Sequence, residues 1–267
     1  MNDNRVTLRV WGDHACFTRP EMKVERVSYP VMTPSAARGV LEAIFWEPEI
    51  YYLIDSIHVI RRGRWFSFRR NEVISLISLD SAKTWMKSPE KTSPILAGGG
   101  APDGTQRNML ALQEVEYLIT AEIHRSNLDS RHKLKTYLEE IKRRAINGKC
   151  FHRPYLGVRE FAADFDWEND AQSALERRSA ELDKNWQNIW SEEDLGLMLY
   201  DVFDHEQRCE GFRWNSEADL FGKKSKSKWE GKLARPEAAF FHAKIENAKL
   251  DCHPERVRLL RNRIARG

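Results

Sequence analysis

The hydrophobic period of this chain switches between two and about 3.6 repeatedly within its first 165 residues, and that rhythm constrains the fold more than any other feature. In "RVTLRVWG" Val6, Leu8 and Val10 alternate with Arg5, Thr7 and Arg9, as in a strand with one buried face. "TPSAARGVLEAIFWEP" then places Thr33 to cap a helix and Pro34 at its first position, where the missing N–H costs nothing. Ala36, Val40, Leu41 and Ile44 follow at helical spacing, and Pro48 stops the run. "YYLIDSIHVI" is rich in β-branched and aromatic residues and predicts a strand, as does the alternating "VEYLITAEIH" at 115–124. Residues 61–113, with "LAGGGAPDGT", predict a long excursion holding a short hairpin or two. A second helix should carry Leu134, Leu138, Ile141 and Ala145 on one face and end at Gly148, where a left-handed residue is wanted. "CFHRPYLGVREF" predicts a return to extended chain.

The order strand, helix, strand, excursion, strand, helix, strand is that of an α+β, ferredoxin-like (RRM-like) fold with a long hairpin excursion. It predicts two helices on one face of an antiparallel sheet and an open second face free to meet RNA. Residues 1–165 would form this domain. Residues 166–267 would form a smaller, β-rich C-terminal extension with a helix "DAQSALERRSAELDKNWQNIW", strands "GLMLYDVF" and "AAFFHAKIEN", and an insertion at about 206–238.

The formal net charge of +3 conceals segregation. Residues 131–159 carry nine Lys or Arg against two Glu, residues 163–206 three basic against thirteen acidic, and residues 207–267 fifteen basic against eight acidic. A stripe of one sign concentrates a polyanion while an acidic flank repels it, which points to nucleic acid as partner. No apolar run approaches the ~20 residues needed to cross a bilayer, and "MNDNRVTLRVWG" lacks the layout of a signal peptide, so no membrane partner and a cytoplasmic location are expected. Cys16, Cys150, Cys209 and Cys252 form no CxxC and suit reduced thiols. His205, Cys209, Cys252 and His253 could just supply four zinc ligands, but their irregular spacing favours unrelated residues, and no metal or other cofactor is expected.

"RRGRWFSFRR" interleaves five arginines, Arg62, Arg64, Arg69 and Arg70 among them, with Trp65, Phe66 and Phe68. Forked cations grip phosphates and aromatic faces stack bases, so the mixture suits an irregular single strand; the alternative is a hairpin with its aromatics in the core and its arginines solvated. Arg143 and Arg144 either face RNA or pair with Glu139 and Glu140 one turn away. His152 and Arg153 would extend the same basic strip.

The stretches "LRVWGDHACFTRPEMKVERVSYPVMTPSAARGVLEAIFWEP", "RRNEV" at 69–73, "GTQRNMLAL" at 104–112, "RRA" at 143–145 and "CFHRPYLGVREFAADF" at 150–165 together resemble the CRISPR-associated Cas-five family (RAMP superfamily) of the I-C subtype. The resemblance implies a RAMP domain that holds the 5′ handle of CRISPR RNA within Cascade, beside backbone and large subunits, with Arg19, Lys23 and Arg26 of the loop after the first strand on the handle. It also implies kinship with metal-independent endoribonucleases that cut precursor CRISPR RNA by attack of the 2′-hydroxyl, which needs only a general base or acid and a cation. Cutting members look to have Tyr or His before the Trp-x-Pro ending the first helix and an adjacent Lys-His opening the second. Here Phe45 holds the first position, and Thr136 and Tyr137 the others. Tyr137, with its phenol pKa near ~10, is a poor base, and His132, Lys133 and Lys135 lie about one turn, ~5 Å, upstream. Binding is therefore expected rather than cutting, with Tyr137, His132 and Lys135 as the catalytic candidates if cleavage occurs. A purely structural assembly role is the remaining alternative.

Overall fold

The computed structural model describes residues 4–96, 98, 100–128, 132–181, 192–203, 208–209 and 238–261. Within them lie β1 (Arg5–Ala15), β2 (Arg26–Val27), α1 (Pro34–Ile44), β3 (Ile50–Arg61), β4 (Arg64–Val73), α2 (Leu79–Lys87), β5 (Gly104–Arg125), α3 (Leu134–Ile146), β6 (Asp164–Glu168), α4 (Ala171–Glu181), β7 (Glu192–Asp201), β8 (Ala239–Glu246), β9 (Lys249–Asp251) and β10 (Leu259–Arg261). The strands join one large, mainly antiparallel sheet with the central order β3-β5-β1-β6. Only β2 among the paired strands runs parallel to its neighbour, β5, among the described residues.

Sequence alternation sets the core. Val6, Leu8 and Val10 lie opposite Ala121, Ile119 and Tyr117, and all six side chains are fully buried beneath α1 and α3. The α1 helix begins as expected: the Thr33 hydroxyl accepts from the Ala36 N–H at 3.2 Å, with Pro34 in the first turn. Its buried face is Pro34, Ala37, Val40, Leu41 and Ile44; Ala36 is only half-buried, and the helix ends at Ile44 before Pro48 is reached. The α3 helix closes with Gly148 at φ +61°, the Lys149 N–H donating to Arg144 O and the Gly148 N–H to Ala145 O. These paired bonds satisfy two carbonyls that a helix end would otherwise leave bare.

The second face of the sheet is not open. Pairing Arg9 with Asp166 and Leu8 with Trp167 turns Asp164, Asp166 and Glu168 away from the helices, onto the face that also holds Glu116 and Glu122. Helix α4 lies there, with Ala174 against Ile60 and Leu118 and the Arg178 guanidinium on Glu116 at 2.7 and 2.8 Å. Arg9 completes the cluster, reaching Asp166 at 2.7 Å and Glu116 at 3.3 Å. The expected open face is thus closed among the described residues: β6 and α4, the first part of the acidic segment, fold onto it, and its carboxylates Glu116, Asp166 and Glu168 are paired with Arg9, Arg177 and Arg178.

The excursion is an arm. β5 runs for 22 residues; its second half pairs with β1 and β3, and its first half pairs with β4 from Arg64↔Gln113 to Val73↔Gly104. At the junction Gly63 has φ +82°, and a Cβ there would collide with the Gln113 carbonyl. "CFHRPYLGVREF" is likewise not a strand: Pro154 and Gly157 break it into a loop held by the Tyr155↔Ala162 bridge, and regular pairing resumes only at Asp164. Gly157, at φ +87°, presses on the Cys16 carbonyl with no room for a Cβ, and this contact seats the loop against β1. Gly63→Ala and Gly157→Ala should each cost more than ~1 kcal/mol, lowering the thermal midpoint by several degrees. Unchanged melting curves would show that the backbone does not close at these points.

The C-terminal strands continue the same sheet through β9 on β3. β7, at its end, brings Asp201 to α1, where Arg38 grips it at 2.7 and 3.1 Å. Arg208 bonds Glu42 at 2.9 Å and lies 3.5 Å from Asp201, and Arg38 also pairs with Glu42. Nearly all of the expected insertion, and the second half of the helix expected after residue 170, lie outside the described residues.

Candidate RNA interface

The basic run at 61–70 is divided by strand alternation. Trp65 and Arg69 share one face of β4, while Arg64, Phe66, Phe68 and Arg70 share the other. Phe66 and Phe68 stack on each other at 5.3 Å and pack with His14 and Phe161, as a core hairpin would. Trp65 is 50% exposed. Arg69 has no ion-pair or hydrogen-bond partner among the described residues, whereas its neighbours are engaged. Arg62 forks onto Glu193 of β7 at 2.8 and 3.0 Å, Arg64 reaches Glu114 at 3.0 Å, and Arg70 bonds Glu160 at 2.5 Å as well as Glu72.

The loop after β1 leans on the arm, since Glu25 accepts from the Asn108 N–H at 2.5 Å. Arg26, pairing with Met109, therefore stands on the same face as Arg70 and its cross-strand neighbour Arg107. Arg26, Lys23 and Arg107 have no carboxylate within 4 Å among the described residues. Arg19 instead covers the Tyr29 ring at 4.7 Å, with Glu21 3.8 Å away. At the arm's far end Ile74, Leu76, Ile77, Leu79 and Met86 are all exposed, and α2 buries none of its side chains.

The arginines of α3 are spent locally. Arg143 and Arg144 both bond Glu140, at 2.8 and 2.7 Å, and their hydrogen bonds hold its carboxyl down at about 2; Glu139 pairs instead with Lys135 at 3.9 Å. The Arg144 guanidinium also covers the Phe45 ring at 5.0 Å. Beneath it Phe45 and Tyr137 stand 6.3 Å apart, both 5% exposed, and His132 meets Tyr137 edge-on at 5.9 Å. His132 and Tyr137 are thus adjacent, while Lys135, roughly 200° around the helix from Tyr137, faces solvent beside Glu139.

The end of α1 is capped from the following loop. The Phe151 and His152 N–H groups both donate to Ala43 O, at 2.9 and 3.0 Å, and Tyr52 donates to Phe45 O at 2.8 Å. Phe151 is consequently held outward, 73% exposed, edge-on to His152 at 4.4 Å. Arg153 bonds Asp164 at 2.5 Å; Arg159 has no partner among the described residues. Residues 152–159 and α1 enclose a groove of about 750 Å³.

Arg107, Arg159 and Phe151 escaped sequence reasoning. Arg107 carried a usable signal, lying in the alternating "TQRNML" that pairs with the arginine-rich strand. No cluster of three His, Cys, Asp or Glu suited to a metal occurs among the described residues; Cys252 is buried, Cys209 lies beside Asn127, and His205 lies outside the described residues.

The profile of a CRISPR-associated protein family (Cas_Cas5) matches residues 6–252. The chain is 42% identical over 214 residues to the CRISPR pre-crRNA endoribonuclease Cas5d of Mannheimia succiniciproducens, covering 79% of this chain and 90% of that one. It is 40% identical over 202 residues to the Cas5d endoribonuclease of Thermus thermophilus, covering 74% of this chain and 73% of that one. A crystal structure described as a CRISPR-associated protein superposes with a TM-score of 0.55 at 17% identity, covering 92% and 90% of the two chains, and so shares the fold. With the profile spanning almost all of the described body and two relatives near 40% identity, the chain belongs to the Cas5 family of CRISPR-associated proteins, in its type I-C branch.

Proposed function

We propose that this chain is the CRISPR RNA-binding subunit of a type I-C Cascade complex, holding the 5′ handle while it docks on the backbone and large subunits. The observation that carries the reading is the outer face of β4, which presents half-exposed Trp65 and, four residues or about 13 Å further along the strand, Arg69, a cation with no partner among the described residues. Together they offer a base a stacking face and a phosphate a fork. Among the described residues Arg26 and Arg107 supply further uncommitted charge on the opposite face of the same arm, and Lys23 in the loop that leans on it. The strand order β3-β5-β1-β6, with α1 and α3 on one face, supports the ferredoxin-like RAMP reading of residues 1–165, and the described strands β7 to β10, joined to it through β9, support the reading of the later residues as an extension of that domain. The exposed apolar tip around Leu76 and Met86 supports docking on other subunits.

The test is salt-dependent affinity for the isolated handle RNA. Contact with several phosphates predicts a fall of orders of magnitude between ~50 and ~200 mM salt, whereas weak, salt-insensitive association would support a purely structural role.

The names of the two curated relatives favour a second reading, a metal-independent endoribonuclease. Phe45 carries no titratable group, and Tyr137 is buried against it, so a cut would fall to exposed His132, with Arg144 held by Glu140 and Lys135 turned to solvent beside Glu139. Incubation of a labelled repeat hairpin in EDTA separates the readings. The binding reading expects intact RNA; a specific cut at the 3′ side of the hairpin, lost in His132→Ala, would replace it with the enzymatic one.

A further inference from the structure

Glycine within a helix costs about 0.5–1 kcal/mol relative to alanine, and α1 carries one at position 39 for which the protein's own packing gives no reason. A Cβ there would meet nothing within 4 Å. The position opens onto the groove of about 750 Å³ between α1 and residues 152–159, a size within the ~300–1,000 Å³ of ligand clefts. The small side chains Ser35, Ala36 and Ala43 keep the rest of that helix face low.

The charge of the groove decides its occupant. Arg38, Arg153 and Arg159 line it; Arg38 is engaged by Asp201 and Glu42 and Arg153 by Asp164, which leaves Arg159 as the uncommitted cation among the described residues, and the lining carboxylate, Glu42, is itself held by Arg38 and Arg208. Arg159 points no bond at any described residue. His152 also lines it, buttressed edge-on by exposed Phe151, and both are fixed by their N–H bonds to the end of α1. Free cation, exposed rings and a bare stretch of helix backbone are what a sugar-phosphate chain requires in order to approach closely.

We propose that this groove seats a single-stranded segment of RNA, its backbone crossing α1 over Gly39, a phosphate on Arg159 and a base against His152. The inference rests on the RNA-binding reading and adds to it a second contact surface, separate from the outer face of β4. Filling the groove from within tests it. Gly39→Leu should lower the affinity of the full chain for fluorescent handle RNA by about tenfold or more, a loss of ~1.4 kcal/mol, and Gly39→Ala by less, while neither lowers the thermal midpoint. Arg159→Glu, in an exposed loop and independent of helix folding, should weaken binding and reduce the slope of log affinity against log salt by about one or more. Wild-type affinity in both Gly39→Leu and Arg159→Glu, with Trp65→Ala still impaired, would overturn the groove and leave the binding reading standing. Failure of the unmodified protein to bind the handle at all would overturn both.

Discussion

Asp201→Ala should destabilise the protein by about 3–5 kcal/mol, because it strips the carboxylate from between Arg38 and Arg208 and leaves buried Arg208 and half-buried Arg38 sharing half-buried Glu42. Asp201 is 6% exposed and Arg208 7%, so water substitutes poorly for the partner that Arg208 loses. For a chain of this size the thermal midpoint should drop by roughly 6–20 °C. Asp201→Asn, which keeps the shape and loses the charge, should fall between. Burial alone would raise the Asp201 carboxyl, but Arg38 and Arg208 more than offset it and hold it below its ordinary value. A depressed folded pKa contributes stability above the unfolded value near ~3.9 and loses it as pH falls through the folded one. Wild type should therefore lose part of its margin over Asp201→Ala below about pH 4. Melting scans at pH 7 and pH 3 decide the matter; a variant that melts with wild type at pH 7 would show that the cluster does not hold the extension to α1.

Trp65→Ala should weaken handle binding by about 5–150-fold, the range expected for one base losing its aromatic platform at 1–3 kcal/mol. Trp65→Phe should recover part of the loss. Arg69→Ala should act differently, reducing affinity uniformly across sequences and lowering the salt slope by about one. Because both side chains stand on an exposed strand face, neither change should move the melting curve. Anisotropy titrations at two salt concentrations measure all three variants, and unaltered affinity in Trp65→Ala would remove the main support for a stacking surface on the arm.

Local chemistry was legible wherever the chain decides its own structure within a turn. Thr33 and Pro34 start α1, Gly148 ends α3, and the alternation around Val6, Leu8 and Val10 makes β1, because each needs only its neighbours. The extent of β5 was hidden by the glycines before it, which suggested a loop where pairing with β4 imposes a strand. "CFHRPYLGVREF" misled in the opposite sense: its composition is strand-like, yet Pro154 and Gly157 fold it into a wall of the groove. Long-range pairing was out of reach altogether. Nothing local to Arg62 announces Glu193, and nothing near Arg38 announces Asp201, 163 residues away, so a cation-rich run could not be sorted into structural and available arginines. The fate of the acidic segment was equally silent, since Arg178 finds Glu116 only after the sheet exists.

One strand, β5, belongs to both body and arm, with a left-handed residue, Glu114 at φ +59°, where the two meet. At about 3.4 Å per residue the 22 residues of β5 trace on the order of 70 Å of chain, about half of it anchored between β1 and β3. The projection is thus a cantilever rather than a tethered flap: its root is the central ladder of the domain, and its bearing is fixed at folding, before any other molecule arrives. An assembly that uses the tip as a fastening point forfeits little orientational freedom in doing so, and whatever lies along the beam is presented at a set distance from the core.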